Sequence, residues 1–326
     1  MSKVKVGVTG TGSLIGQAII KSIKNSNRCG DVGVIGFDYF PDTIGSHWVD
    51  GNWILPDILR SDVSSEEWLE TLINAVSVEE LQILFIGLDF ELKLFAEKKD
   101  IIAERTGCRV VVSDSEIIRI ANDKYLTNQF LAENGFDHPK TVLIENMDSS
   151  GMEYPCIIKP RVGQRSRGVY IVNEKKELEA KAGEITDPIV QELIGDENKE
   201  YTCGVIFFDG EVKGTIALRR DLKEGNTLNA YLDEDAEDIK SYVKDVALAL
   251  KPFGACNFQL RLDDKGRPSL FEINARYSGT TYMRALFGFN EVEYILRYLL
   301  GEKPESFVLK GGKVKRFYDE VFIEDK

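Results

Sequence analysis

The strongest constraint on the fold is an alternation of short apolar runs with amphipathic helices over the first 113 residues. The runs VKVGVT, VGVIGFD and LQILFIGLD have the pattern of buried strands, and the last two end in Asp38 and Asp89. Helical patterns follow at 65–76 and 90–106, and a last apolar run covers 109–112. Strands that alternate with helices build a parallel, doubly wound sheet. The chain is therefore predicted to begin with a Rossmann-like unit.

Three glycines follow the first strand with the spacing GxGxxxG: Gly10, Gly12 and Gly16. Asp38 ends the second strand, where an acid that binds the ribose of a dinucleotide would lie. One interpretation is therefore an NAD site. However, the spacing differs from the GxGxxG fingerprint, and a tight turn that packs a helix against a strand needs the same glycines. We favour the turn.

The rest of the chain has a different pattern, in which strands follow one another through short turns. Asp209-Gly210 and Asp264-Lys265-Gly266 each separate two apolar runs, as in β-hairpins. An amphipathic helix is predicted at 115–134. The other predicted elements are strand, loop and strand at 155–172, a helix at 174–182, strands at 188–194, 200–208 and 211–220, a helix at 234–251, and strands at 255–263 and 268–274. These elements predict a mixed, mainly antiparallel α+β region.

The composition excludes several classes of function. The 326 residues are 43% hydrophobic, with 41 basic and 54 acidic residues and a net charge of −13. Such a chain, without a basic stretch, is not expected to bind nucleic acid, and no apolar run reaches the roughly 18 residues of a membrane span. The five cysteines form no CxxC pair, which favours reduced thiols and a cytoplasmic location. With only two histidines, a metal would need oxygen ligands, which suits Mg²⁺.

Polar side chains alternate along an apolar strand in the stretch LFEINAR, residues 270–276. Because alternate side chains of a strand face the same way, Glu272, Asn274 and Arg276 share a face if the strand continues that far. The hairpin brings Gln259 beside Glu272. A carboxylate and two amide oxygens are hard ligands for Mg²⁺, and an arginine can bind a transferring phosphoryl group. The alternative is a polar sheet face exposed to water.

A second constellation is the sequence IIKPRVGQRSRGVYIV. Lys159 ends an apolar strand, and the loop 161–168 contains Gly163, Gly168 and three arginines. Backbone N–H groups of such a loop can cradle phosphates, and Lys159 adds a point charge. A solvated basic hairpin is the alternative. A third segment, VQELIGDENKEYT, combines a strand edge that can bind adenine with acids that can bind ribose hydroxyls, and alone it is a weak signal.

Taken together and in this order, the three segments resemble the ATP-grasp superfamily, and most closely the synthetase units of the carbamoyl phosphate synthetase large subunit. The resemblance covers nearly the whole chain, including GTGSLIGQAIIKSIK and NDKYLTNQFLAENGFDHPKT. It implies a structural and substrate-side role for the N-terminal unit, so NAD is not expected there. The chain departs from that enzyme in having a single synthetase unit and no glutaminase region. Carbamoyl phosphate synthesis itself is therefore not expected.

The resemblance also implies roles for individual residues. The implied nucleotide-binding residues are Lys124 and Lys159 at the phosphates, Gly163, Ser166, Arg167 and Gly168 in a lid over the triphosphate, Gln191, Glu192, Leu193 and Ile194 beside adenine, Glu200 at the ribose, and Gln259 and Leu270. The implied metal ligands are Gln259, Glu272 and Asn274, with Glu272 bridging two Mg²⁺ ions, for which Mn²⁺ is expected to substitute. Lys159 and Arg276 are the implied catalytic residues. Separately, Arg219 and Arg220 lie on a strand that runs toward the loop DLKEGNT, and they are candidates to bind the substrate carboxylate.

These inferences define an expected organisation and activity. The expected parts are a Rossmann-like parallel-sheet domain at 1–113, linker helices and an ATP-grasp lid subdomain at 114–190, and a larger mixed subdomain with the metal site at 191–326. The expected reaction is ATP-dependent ligation of a small-molecule carboxylate to an amine through an acylphosphate. Two alternatives remain open: an acylphosphate-forming enzyme like carbamoyl phosphate synthetase, and a non-catalytic ATP-binding module. A homodimer is an assembly common in the superfamily.

Overall fold

The computed structural model describes residues 3–163, 167–196, 199–233 and 236–323. Its N-terminal part is a five-stranded sheet in the order β3-β2-β1-β4-β5, in which all neighbouring strands are parallel. The elements are β1 Val4–Thr9, α1 Leu14–Lys24, β2 Val32–Asp38, β3 Gly51–Ile54, α2 Ser65–Val78, β4 Ile83–Phe85, α3 Leu92–Thr106 and β5 Arg109–Val111. The predicted parallel sheet is confirmed. The edge strand β3 was not predicted, because its four residues are only partly buried or exposed and form no apolar run.

The glycine-rich segment between β1 and α1 is a tight turn. A Cβ atom on Gly16 would lie 2.1 Å from the carbonyl oxygen of Gly10, so only glycine lets the helix start this close to the strand. The backbone N–H of Gly12 donates to Asp38 Oδ2 (2.8 Å), and the Thr11 hydroxyl donates to the same oxygen (2.9 Å). A carboxylate of the protein thus uses the donor that a dinucleotide phosphate would need, which favours the turn over the NAD interpretation.

Two helices connect this sheet to the rest of the chain: α4 Ser115–Asn122 and α5 Lys124–Glu133. The prediction of one continuous helix over 115–134 was wrong. Asp123 between them is extended, and its side chain accepts hydrogen bonds from the backbone N–H groups of Tyr125 and Leu126. Aspartate competes for helix N–H groups and favours the N-cap, which explains the break. As a result, Lys124 is the first residue of α5.

A small antiparallel sheet follows, in the order β6-β9-β7-β8. Its elements are β6 Thr141–Leu143, α6 Met147–Ser150, β7 Cys156–Pro160, β8 Tyr170–Val172, α7 Lys175–Ala182 and β9 Pro188–Glu192. It has its own hydrophobic core, which includes Ile158, Leu178 and Val190. The expected boundary at 190/191 falls inside β9, so a division after Glu192 fits the strand pairing better.

A six-stranded sheet in the order β14-β13-β10-β11-β12-β15 forms the remainder, and all its pairs are antiparallel. Its elements are β10 Glu200–Phe208, β11 Glu211–Lys223, β12 Asn226–Leu232, α8 Glu237–Leu250, β13 Gly254–Leu262, β14 Pro268–Asn274, α9 Thr281–Leu286, α10 Glu291–Leu299 and β15 Lys313–Lys315. The hairpins at Asp209-Gly210 and Asp264–Gly266 are confirmed. β11 runs three residues past its predicted end at 220 and turns at Glu224-Gly225 into β12, so the predicted loop DLKEGNT is mostly strand.

The N-terminal sheet and the six-stranded sheet share continuous cores. One core joins Phe37 and Trp68 of the N-terminal unit to Phe258 of β13, through α3, α4 and α5. A second joins Phe85 of β4 to Tyr277 and Phe289 beyond β14. This packing fixes the ends of β1 and β4 against the segment that follows β14. Over the described ranges, no helix has the length and apolar character needed to cross a membrane.

Candidate active site

The small and large sheets enclose a cavity of about 190 Å³, named here the first cavity. Ten of the residues predicted to bind nucleotide or metal line it: Lys124, Lys159, Gly163, Arg167, Gln191, Glu192, Ile194, Glu200, Gln259 and Glu272. They come from α5, β7, β9, β10, β13 and β14 and from the loops beside these elements. The fold thus gathers into one concave space residues that lie far apart in sequence.

Lys159 is a buried lysine at the end of β7. Its Nζ donates to Gln191 Oε1 (2.7 Å) and lies 5.7 Å from the centre of the Phe271 ring. Burial lowers the pKa of Lys159 to about 7. The nearby charge of Lys124 lowers this pKa as well, and Glu272 raises it by less than Lys124 lowers it. A side chain that is only 5% exposed and has a destabilised positive charge is prepared to bind an anion.

Lys124 supplies a second cation to the first cavity. Its Nζ donates to the carbonyl oxygen of Gly163 (2.9 Å), so the first residue of α5 holds the start of the glycine-containing loop. Arg161, in the same loop, pairs with Asp123 through Nε (2.7 Å). The capping aspartate that breaks the predicted helix therefore also fixes the loop next to both lysines.

Glu200 has two arginine partners on the large sheet. Arg220 donates to Glu200 Oε1 through Nε (3.0 Å) and Nη2 (2.6 Å), and Arg261 donates to Oε2 through Nε (3.0 Å) and Nη2 (2.9 Å). Glu200 is 4% exposed, so this network is a buried, charge-assisted group. The predicted ribose ligand thus lines the cavity, while each of its oxygens already accepts from a guanidinium.

The three predicted metal ligands lie together on β13 and β14. Gln259 pairs with Glu272 across the hairpin, and Gln259 Nε2 (3.2 Å) and Asn274 Nδ2 (2.8 Å) both donate to Glu272 Oε1. Burial raises the pKa of Glu272, but the charges of Lys124, Lys159 and Arg220 and the bond from Asn274 together lower it below its usual range. Glu272 is therefore an ionised carboxylate inside the protein.

The donor set of one carboxylate and two amides fits Mg²⁺, which takes hard oxygen ligands. Among the residues that the structure describes, no group of three His, Cys, Asp or Glu side chains is placed to bind a metal. A metal at this position would therefore depend on the amide oxygens of Gln259 and Asn274 as well as on Glu272. The Gln259 oxygen accepts from Arg220 Nη2 (2.6 Å), which leaves one of its two lone pairs for an ion.

Arg276 links the two large units of the fold. β14 ends at Asn274, so the strand does not continue to Arg276, and the side chain turns toward the N-terminal sheet. Its Nε donates to Asp89, which begins the short 3₁₀ helix Asp89–Glu91 after β4, and its Nη1 donates to the carbonyl oxygen of Tyr277. Arg276 does not line the first cavity. It lines two neighbouring cavities, both of which also include Glu272.

The second cavity, of about 230 Å³, lies between the start of α1 and the large sheet. Ser278 and Thr280 line it, and Arg284 holds both hydroxyls, with Nη2 on Ser278 Oγ (3.1 Å) and Nη1 on Thr280 Oγ1 (3.0 Å). Arg284 is fully buried and pairs with the equally buried Glu291 (2.7 Å). This buried ion pair therefore holds the turn after β14 in place through the hydroxyls of Ser278 and Thr280.

Several predicted residues lie outside the first cavity. Ser166 falls outside the described residues. Leu193, Gly168 and Leu270 do not line it, although Leu270 is buried in the core. Asn274 lines the other cavity that includes Arg276, which lies beside α4 and is named here the third cavity. Arg219 lines none of the three: its guanidinium lies 4.3 Å from the centre of the Tyr231 ring. Its neighbour Arg220 points to the opposite face and lines two of them, so Arg220 rather than Arg219 faces the cavities.

The sequence analysis missed three residues of these cavities. Phe271 lies against Lys159, and Arg261 pairs with Glu200. The polar alternation along β13 includes Arg261 together with Asn257 and Gln259, but it does not indicate the pairing of Arg261 with Glu200. Arg316 lines the second cavity from beyond β15, 37 positions from Gly279 in the turn that it contacts, so no local pattern indicates it.

Comparisons with known proteins agree with this architecture. A family model described as "ATP-grasp in the biosynthetic pathway with Ter operon" matches residues 184–316. D-alanine–D-alanine ligase of Bacillus anthracis is 24% identical over 177 residues, which cover 48% of this chain and 57% of that enzyme. The same enzyme of Petrotoga mobilis is 32% identical over 109 residues, which cover 32% of this chain and 36% of that one. The chain thus matches about half or less of the length of these relatives.

Solved structures are similar over almost the whole chain. An L-amino acid ligase from Bacillus licheniformis has a TM-score of 0.69 at 18% identity, covering 94% of this chain and 75% of that one. N5-carboxyaminoimidazole synthetase from Staphylococcus aureus, complexed with ADP, has a TM-score of 0.74 at 13% identity, covering 94% and 80%. The fold is therefore that of the ATP-grasp enzymes, and together with the family model it supports membership of the ATP-grasp superfamily for this chain.

Proposed function

We propose that this protein is an ATP-dependent ligase that joins a carboxylate to an amine with formation of ADP. One observation carries the proposal: two lysines, Lys124 and Lys159, line the same cavity as the ionised Glu272 and its amide neighbours. Cations for phosphate and oxygen ligands for Mg²⁺ are what phosphoryl transfer requires. The similarity to D-alanine–D-alanine ligase and to an L-amino acid ligase supports the same reaction class.

In the proposed reaction, a substrate carboxylate oxygen attacks the γ-phosphorus of ATP while the bond to ADP breaks. The nitrogen of the amine then attacks the carbonyl carbon of the acylphosphate, phosphate leaves, and the nitrogen releases a proton. Lys159 and Lys124 would bind phosphate oxygens, and Gln191 would keep Lys159 in place through the bond that it already accepts. The β9 edge up to Ile194 would face adenine, with Glu200 toward the ribose.

Arg276 is proposed to stabilise the negative charge on the phosphoryl group during its transfer from ATP to the carboxylate. Its pairing with Asp89 holds it between the N-terminal unit and Glu272, and it lines two cavities that Glu272 also lines. The proposed metal ligands are Glu272, Gln259 and Asn274. The chemistry that Mg²⁺ supplies in such sites, here with one or two ions, is neutralisation of charge on the phosphoryl oxygens, and Mn²⁺ is expected to serve as well.

The resemblance to the synthetase unit of carbamoyl phosphate synthetase supports a second candidate, in which the acylphosphate is released as product. The substrates of the proposed ligase are small molecules, and a cytoplasmic location and a homodimer remain predictions.

The test is ADP release by the full chain with ATP and Mg²⁺ against a pooled set of carboxylates and amines. We expect ADP only when a carboxylate and an amine are both present, and a loss of about 100-fold or more in Glu272→Gln. Glu237→Gln, which changes an exposed carboxylate on α8, is the matched control. ADP with a carboxylate alone would favour the acylphosphate-releasing enzyme. ATP binding without ADP release from any combination would favour a non-catalytic module.

A further inference from the structure

Three arginines line the second cavity, and two of them have acidic partners. Arg220 pairs with Glu200 and Arg276 with Asp89. The third, Arg316, has no carboxylate within 4.0 Å of its guanidinium in the part of the chain that the structure describes. Its Nη2 donates to the carbonyl oxygen of Gly279, and its backbone N–H donates to the carbonyl oxygen of Leu228 (2.8 Å), which fixes its position beside β12.

The charges around Arg316 leave an excess of positive charge. Burial lowers the pKa of Arg316. Burial also lowers the pKa of Lys21 on α1, and the charge of Arg316 lowers it further, while Asp319 opposes this. A partly buried guanidinium without a counter-ion is costly, and an anion bound beside it would remove that cost.

A second unsatisfied group lies in the same cavity. Asn257 is 1% exposed, and its Oδ1 accepts from Thr202 Oγ1 (2.8 Å) and from Arg284 Nη1 (2.9 Å). Its Nδ2 has no hydrogen-bond partner within the described ranges. A buried donor without a partner is rare in a folded protein and needs an explanation. An acceptor oxygen from a bound ligand would supply one.

The remaining walls define the rest of the ligand. Leu14 of α1 and Leu88 and Phe90 after β4 contribute apolar surface. Glu272 and Arg276 lie at the side of the proposed reacting centre. The cavity therefore combines arginines with apolar surface, which suits a ligand that has both an acidic group and an apolar part. Since Arg220 and Arg276 already have carboxylate partners, Arg316 is the arginine of this cavity that has none in the described part of the chain.

We propose that Arg316 binds a second acidic group, a carboxylate or a phosphate monoester that does not react, on one of the two substrates. The enzyme would then select substrates with one acidic group more than ligation itself requires. This inference rests on the proposed function for the identity of the ligand as a substrate, but the anion site can be measured without turnover.

The experiment compares binding of matched compounds in which one acidic group is either present or replaced by a neutral amide or hydroxyl. Binding to the wild-type protein, Arg316→Gln and Arg316→Lys is followed by tryptophan fluorescence and by thermal shift. The carboxylate arm is glutamate against glutamine and succinate against succinamate. The phosphate arm is O-phosphoserine against serine and glycerol 3-phosphate against glycerol. Glutamine at 316 keeps a donor for Gly279 without the charge, whereas lysine keeps the charge. Arg119→Gln, which changes an exposed arginine on α4, is the control.

We expect at least one acid to bind wild type at least about 10-fold more tightly than its neutral partner, as a charge-assisted hydrogen bond predicts. Arg316→Gln should remove this preference, while Arg316→Lys and Arg119→Gln retain most of it, and the arm that responds identifies carboxylate or phosphate. A preference that is equal in wild type and Arg316→Gln, or that is absent from wild type in both arms, overturns the inference.

ADP release with the same compounds separates this inference from the proposed function. ADP formed equally well with acidic and neutral partners would overturn the anion site and leave the ligase standing. Arg316-dependent binding of an acid without ADP release in the presence of any amine would support the site and contradict the ligase.

Discussion

Two glycine-containing turns of this protein each follow a β-strand, yet they have opposite electrostatic surroundings. In the turn after β1, the N–H of Gly12 is bound by Asp38, and Glu91 lies buried nearby, accepting from the hydroxyls of Thr9 (2.5 Å) and Tyr39 (2.7 Å). This turn is built around the protein's own acids. An anionic ligand would have to displace a carboxylate to enter it.

The turn after β7 is built around cations. Lys124 and Lys159 both lie at its base. Burial lowers the pKa of Lys159 to about 7, which means that the charged form of this lysine is destabilised until an anion binds beside it. A glycine spacing thus identifies a backbone shape, while the neighbouring charges decide whether that shape binds a phosphate. The same glycine chemistry serves packing in one place and is proposed to serve a ligand in the other.

The largest expected effect comes from removing the buried cation. We expect Lys159→Met to weaken binding of ATP with Mg²⁺ by about 100-fold, since a hydrogen bond to a charged group contributes roughly 1.5–3 kcal/mol. Asp38→Asn, in the acidic turn, should change it by less than about 2-fold. Isothermal titration of both variants measures the contrast, and equal losses in the two would mean that the turns do not differ as their charges indicate.

Lys159→Met is also expected to alter stability with pH. Because the folded pKa of Lys159 is lowered from 10.5 to about 7, the unfolded chain binds more protons between these values, and this residue destabilises the fold most below pH 7. The stability of wild type relative to Lys159→Met should therefore rise as pH increases from 7 toward 10. Urea unfolding at pH 7 and pH 9.5 tests this, and a constant difference between the proteins would contradict it.

Glu91 provides the corresponding test in the acidic turn. Burial raises its pKa to about 7, so between pH 4.5 and 7 the folded state keeps a proton that the unfolded chain releases, and stability falls as pH rises. The free energy of unfolding of Glu91→Gln, relative to that of wild type, should therefore rise by about 2–3 kcal/mol as the pH increases from 5 to 8. Urea unfolding measures it, with the exposed Glu97→Gln on α3 as control. A difference in unfolding free energy that is the same at pH 5 and pH 8 would mean that Glu91 is ionised over this whole range.

Sequence patterns predicted those parts of this molecule that depend on local periodicity. The parallel sheet, both hairpins and the pairing of Gln259 with Glu272 follow from apolar runs, turn residues and strand alternation. The break at Asp123 and the extension of β11 were missed because one capping bond and one Glu-Gly turn decided each boundary. Such small local choices override a pattern averaged over many residues.

The charged contacts of the site could not be predicted in the same way. The pairs Arg276 with Asp89 and Glu200 with Arg220 and Arg261 depend on how whole sheets pack, and Arg316 reaches its cavity only because β15 adds to the edge of β12. Residue type indicated which side chains could act, as with Lys159 and Glu272. It did not indicate which charges would be neutralised by a partner and which would be left for a ligand.

The smallest expected effect is proton uptake when ATP binds, and it tests directly whether Lys159 becomes charged beside the phosphates. With a pKa of about 7, Lys159 is mostly neutral at pH 8, and phosphate oxygens beside it would restore the ordinary charged form. Binding of ATP with Mg²⁺ at pH 8 should therefore take up about 0.9 proton, and at pH 6 only about 0.1. Titration calorimetry in buffers of different ionisation enthalpy gives this number, and Lys159→Met corrects for protons bound by the nucleotide. Equal uptake by wild type and the variant at pH 8 would mean that Lys159 is already charged before ATP binds, and the contrast between the two turns would then rest on geometry alone.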